Sequence, residues 1–167
     1  MAFTPGHLFF DDVEVGMEWE SSGRTVTEAD VVNFAGLSGD FNPIHVDAEF
    51  AKTTPFRQRI AHGLLVFSIG SGLGINAPLI RTLAFLHVRE WNFLGPVFLG
   101  DTIRMIGKVV EKTPRGRGKR GEVMWKRTIV NHENKVVQEG IVVTLVEARP
   151  PKVTGLTGTN ALSVPAV

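Results

Sequence analysis

From Phe85 onward the apolar positions fall into four runs, FLHVREWNFL, TIRMIGKVVEK, EVMWKRTIV and VVQEGIVVTLV. Each is about ten residues long and rich in β-branched and aromatic types, which fit a pleated, half-buried surface, so each predicts a strand. The joints GPVFLGD, TPRGRGKRG and NHENK carry the Gly, Pro and Asn that reversals of the chain require. Long consecutive strands with such joints suit one antiparallel sheet.

The first half reads as helix. In RTVTEAD, Thr27 and Asp30 form a capping box ahead of Val31, Phe34 and Ala35, which predicts a helix from about Glu28 to Leu37. Ser38-Gly39 ends it. Asn42-Pro43 then makes a turn, because a residue before proline is pushed out of the helical region, and this puts Asp40 and His45 on irregular backbone. Asp47 caps a short helix through Phe50 and Ala51 that ends near Thr54-Pro55. The segment GLLVFSIGSGLGI, Gly63 to Ile75, is apolar on nearly every side, as expected of a helix wrapped by other elements. It is too short, and too interrupted by Gly and Ser, to span a membrane. Helices early, strands late and one helix apolar all round predict an α+β domain whose sheet curls around a central helix. We expect that single domain over 1–148 and an extended or partly disordered tail over 149–167, where little core-forming pattern remains.

Composition narrows the chemistry. A net charge of +1 over 167 residues gives no general pull toward nucleic acid or an anionic membrane. The absence of cysteine excludes disulfides, zinc-thiolate sites, iron–sulfur clusters and thiol nucleophiles, leaving acid–base work to His, Asp and Glu. The opening MAFTPGHLFFDDVEVG lacks the features of a secretory signal, so a cytoplasmic location is expected.

The stretch SGDFNPIHVD concentrates the titratable groups. Adding water to an activated double bond, or removing it, needs one group to take a proton and one to deliver it, and a carboxylate beside an imidazole can do both at neutral pH. Asp40 and His45 suit those roles, since a turn at Asn42-Pro43 can aim both side chains into one cavity. Plainer readings stand beside this one: Asp40 closing a turn, His45 as a surface or hydrogen-bonded core histidine, Asp47 as a helix cap. Asp40, His45, Asp47 and His62 could also supply metal ligands, but no H-x-x-x-H or H-E-x-x-H pattern supports it and Asp47 already has a capping role.

The run GDFNPIHVDAEFAKTTPFRQRIAHGLL, Gly39 to Leu65, resembles the signature of the MaoC-like dehydratases, the family of (R)-specific enoyl-CoA hydratases. The later NFLGPVFLGDTI, Asn92 to Ile103, resembles that family's strand, Pro-Val turn and Gly-Asp step. The resemblance implies a hot-dog fold, a long central helix wrapped by an antiparallel sheet, with two such units forming a homodimer and dimers open to higher assembly. It implies that Asp40 and His45 hold the catalytic water, Asp40 taking its proton and His45 positioning it and delivering a proton to C2. The backbone N–H of Gly63 would face the thioester oxygen, Ser71 would support Asp40, and Asn42 would support the loop. The substrate would be a trans-2-enoyl-CoA and the product an (R)-3-hydroxyacyl-CoA. No metal or redox cofactor is implied, since the thioester is the electron sink and coenzyme A is part of the substrate.

Arg59 stands where many members have proline. The basic loop PRGRGKR lies outside the signature; it reads as a solvated hairpin, or, more sharply, Arg115, Arg117 and Lys119 attract the phosphates of coenzyme A. Two other functions remain: a hot-dog thioesterase, and an acyl-CoA-binding subunit without catalysis.

Overall fold

Strand β4, Thr102–Arg115, organises the fold. It pairs antiparallel with β1, Glu18–Glu20, and β5, Arg120–Val130, and its first residues also pair with β2, Arg24–Thr25. Strands β6, Val136–Glu147, and β3, Thr82–Phe93, complete a six-stranded sheet of order β1-β4-β5-β6-β3. The computed structural model describes residues 6–75 and 77–150, so the expected tail lies, from residue 151 on, outside the described residues.

Four helices precede the long strands: α1 (Glu28–Ser38), α2 (Pro43–Val46), α3 (Ala48–Thr53) and α4 (Gly63–Ile75). Helix α1 starts on the expected capping box, with Thr27 Oγ1 accepting from Asp30 N–H and the Asp30 carboxylate accepting from Thr27 N–H. Asp47 caps α3 as expected, its Oδ1 accepting from the amides of Glu49 and Phe50 at 2.9 Å. The turn expected at Asn42-Pro43 is instead the start of α2, so His45 sits on a helical turn. Proline at the first position of a helix loses no hydrogen bond and arrives with its φ already suitable, and Asn42 Oδ1 accepts from Ile44 N–H at 3.2 Å.

Helix α4 lies on the sheet. Leu65, Val66 and Ile69 pack with Ile103, Met105, Ile129 and Val137 into one continuous core. A Cβ on Gly70 would stand 2.4 Å from Ile129 Cδ1, so only glycine permits this approach of helix to sheet. The sheet wraps one side of the helix, the hot-dog arrangement. The opposite side is not covered by the described residues: Leu64 is 62% and Ile75 64% exposed, which corrects the expectation of a helix enclosed all round. Edge strand β3 is likewise apolar and uncovered at Leu83, Phe85, Val88 and Phe93. No helix among the described residues is long and apolar enough to cross a membrane.

Candidate active site

The loop after α1 and the start of α4 meet at a cavity of about 740 Å3 lined by Asp40, His45, His62, Gly63 and Phe93, among others. Gly39 makes the junction possible: it ends α1 in the left-handed conformation, φ 76°, which redirects the chain so that Asp40 turns back toward α4. Asp40 Oδ1 then accepts from Asn42 N–H at 3.2 Å, and Ser38 Oγ accepts from Asp40 N–H at 3.2 Å. Asn42 thus serves the loop twice, donating its N–H to Asp40 and capping α2.

His45 is fixed from the other side. Its Nδ1 lies 2.8 Å from the carbonyl oxygen of Ile60. A carbonyl only accepts, so Nδ1 carries the proton and neutral His45 keeps a lone pair on Nε2. Burial, above all, holds the imidazole below its ordinary pKa of 6.5; nearby His62 adds to that, while the Ile60 carbonyl and Asp40 work against it. Ile60 is itself secured by a bridge to Phe98, and the amide of Ala61 donates to Val97 O at 2.8 Å.

His62 is the link between loop and helix. It is 2% exposed, its Nε2 donates to the backbone oxygen of Asp40 at 2.9 Å, and its ring stacks on His45 with centroids 3.8 Å apart. Next to it, Gly63 opens α4. Gly63 lines the cavity, and its amide, like the first amide of every helix, has no intrahelical partner. A Cβ on Gly63 would come within 2.8 Å of the Phe93 ring. The Gly63 carbonyl accepts from Gln138 Nε2 at 2.9 Å, and Gln138 Oε1 accepts from Trp91 Nε1 at 3.1 Å. Gln138 is 2% exposed and fastens the first turn of α4 to β6. Nothing in the strand pattern of VVQEGIVVTLV marked it, since a polar residue in an alternating strand reads as solvent-facing.

One ligand atom each from Asp40, His45 and His62 lies within 4.8 Å of the others. Groups this close can share one water through hydrogen bonds of about 2.8 Å. The arrangement suits a metal less well. The two imidazoles stack at 29° from parallel, so their in-plane lone pairs run side by side rather than converging on one point, and Asp47 is occupied capping α3.

The remaining site residues lie elsewhere. Ser71 sits about two helical turns past Gly63, about 12 Å along α4 and about 80° around it. It lines a different cavity, with Phe67 and Arg127, and within one chain makes no hydrogen bond to Asp40 among the described residues. The basic loop is at the far end of the β4–β5 hairpin. Arg120 pairs with Glu147, whereas Ile129 pairs with Gln138 at the cavity, a separation on the order of 30 Å along β5. Arg115 is held by Glu122, Nε to Oε1 at 3.0 Å, and within one chain neither it nor Arg117 nor Lys119 lines the cavity. Arg59, in place of proline, forms a two-point ion pair with Glu28 at 2.7 and 2.5 Å and so ties the loop before His62 to the start of α1.

Fold and site together define a hot-dog domain whose loop sets a carboxylate and a neutral imidazole above the amide end of its central helix. The pattern of the MaoC like domain matches residues 12–131, and the chain belongs to that family. It is 35% identical over 142 residues to the (R)-specific enoyl-CoA hydratase of Rhodospirillum rubrum, covering 84% of this chain and 93% of that one. With the 3-hydroxybutyryl-CoA dehydratase of Methylorubrum extorquens it shares 40% identity over 111 residues, 66% of this chain and 69% of that one. The unliganded R-hydratase of Pseudomonas aeruginosa superposes with a TM-score of 0.70 at 30% identity, over 89% of this chain and 97% of that one.

Proposed function

We propose that the protein is a hydro-lyase that adds water reversibly to a trans-2-enoyl-CoA to give an (R)-3-hydroxyacyl-CoA. The observation that carries this is the closeness of Asp40 and His45, with the lone pair of His45 Nε2 set by its bond to Ile60, beside the Gly63 amide. The hydratase and dehydratase relatives support it.

In this reading a water held between Asp40 and His45 directs its two hydrogens at the carboxylate and at Nε2. A neutral His45 must take a proton before it can deliver one. The balanced route is therefore that Nε2 accepts the proton as the water oxygen attacks C3, and the imidazolium then returns it to C2. Asp40 aims the water and stabilises the imidazolium. In this proposal the first proton transfer goes to His45, whereas the sequence reading gives it to Asp40. Negative charge builds on the thioester oxygen between the two steps, and the Gly63 N–H at the positive end of α4 stabilises it. The chemistry needs no metal or redox cofactor, because the thioester accepts the electron pair. The uncovered apolar residues of α4 and β3 support a homodimer.

Hydration of crotonyl-CoA, followed by loss of enoyl thioester absorbance, tests the proposal. Asp40→Asn and His45→Gln should each lower kcat/KM by about two to four orders of magnitude. Release of free thiol instead of hydration would make the protein a thioesterase. Binding of acyl-CoA without turnover of short, long or branched enoyl thioesters would make it a binding subunit.

A further inference from the structure

Arg127 of β5 is only 9% exposed, yet its Nε has no hydrogen-bond partner and no carboxylate among the described residues pairs with the guanidinium. It lines a second cavity, of about 590 Å3, that shares no lining residue with the one holding Asp40 and His45. Phe67, Ile80, Met105 and Trp125 contribute apolar wall, Phe85 of the face proposed to meet a second copy rims it, and Arg127 is the sole charged side chain among the described residues that line it. The guanidinium lies against α4 where the helix has no side chain: a Cβ on Gly74 would stand 3.0 Å from Nη1 and 3.2 Å from Cζ.

We propose that this cavity binds an organic acid, its hydrocarbon body against the apolar wall and its carboxylate paired with Arg127. A buried charge without a partner is costly, and a fold that keeps one in a cavity of ligand size leaves the pairing to a ligand. The guanidinium fork matches a carboxylate at two points. A single cation in an apolar chamber suits one negative charge on an apolar body better than a phosphate group carrying more charge and demanding more donors. Desolvation pushes the Arg127 pKa down to about 10, which still leaves the group charged at neutral pH and in need of an anion.

Hexanoate and hexanamide, nearly identical in shape and different in charge, are the probes, titrated calorimetrically into the full chain. Hexanoate should bind about tenfold or more tightly than the amide. Arg127→Met should abolish that preference while keeping or raising the Tm, because it removes an unpaired buried cation. Equal binding of the two probes, binding of neither, or a preference that survives Arg127→Met would overturn the proposal. So would a sharp fall in Tm or a change of oligomeric state in Arg127→Met, which would show that the assembled protein already neutralises the guanidinium. Asp40→Asn should leave hexanoate binding unchanged, so this proposal and the hydratase reading can fail separately.

Discussion

The imidazoles of His45 and His62 stack with centroids 3.8 Å apart and planes 29° from parallel. One ring bonds Ile60, the other bonds the backbone of Asp40, so a single aromatic contact joins the two halves of the water-binding pair. Burial is what chiefly lowers the pKa of His45, and the neighbouring His62 ring adds to it.

Stability should therefore fall in mild acid. Folded His45 titrates below 6.5, chiefly because it is buried, whereas in the unfolded chain it titrates near its ordinary value. Between those two values unfolding takes up a proton, so stability declines as pH drops through that window and levels off once folded His45 is protonated as well. Urea midpoints measured from pH 7.5 to 5 should show this acid arm, and His45→Gln should flatten it.

His62→Phe should separate stacking from hydrogen bonding. A phenyl ring can keep the contact with His45 but cannot donate to Asp40 O, which would then bond water and let the loop move. We expect kcat/KM for crotonyl-CoA to drop about tenfold with the far-ultraviolet circular dichroism unchanged. Wild-type kinetics in this variant would show that the Asp40 backbone bond does not position the pair.

Gly63→Ala should act through Phe93. The new methyl would meet the ring at 2.8 Å, and because Phe93 is 53% exposed the ring can swing away, into the cavity mouth, at little cost to stability. Substrate affinity should weaken, seen as a raised KM, and Phe93→Ala in the same chain should restore it. Persistence of the defect in the double variant would place it in the helix start instead.

Gln138→Leu removes the tie from β6 to the Gly63 carbonyl and leaves Trp91 Nε1–H without its partner. The unpaired buried group should cost about 1–3 kcal/mol in urea unfolding. Gln138→Glu keeps an acceptor for Trp91 but sets an unpaired carboxylate against the Gly63 carbonyl, so at neutral pH it should lose more stability than the leucine variant and lose kcat as well.

Much of this was legible in the residues. The capping box at Thr27 and Asp30, the Asp47 cap, helix α4 and all four long strands follow from local chemistry. So does the break after Ser38 that carries Asp40. Strands β1 and β2, three and two residues long, exist only because β4 offers them an edge, and no local signal marks them. Asn42-Pro43 was ambiguous by nature, since proline both ends helices and begins them. Ser71 shows a further limit: sequence gives its helix, but helical phase decides which cavity it faces. The roles of Gln138 and Arg127 depend on what lies across the sheet from them, which strand periodicity does not encode.

The Asp40–His45 loop is fastened by few bonds, to Ile60, to His62 and through the Arg59–Glu28 pair, whereas the sheet beneath is held by continuous strand pairing. The loop and the sheet therefore form separate cooperative units of unequal strength. On heating, catalysis should be lost before the sheet melts, and amide exchange should be faster over 39–47 than in β4 and β5. The working life of such an enzyme would then be set by the dwell time of one short loop rather than by the free energy of the whole fold.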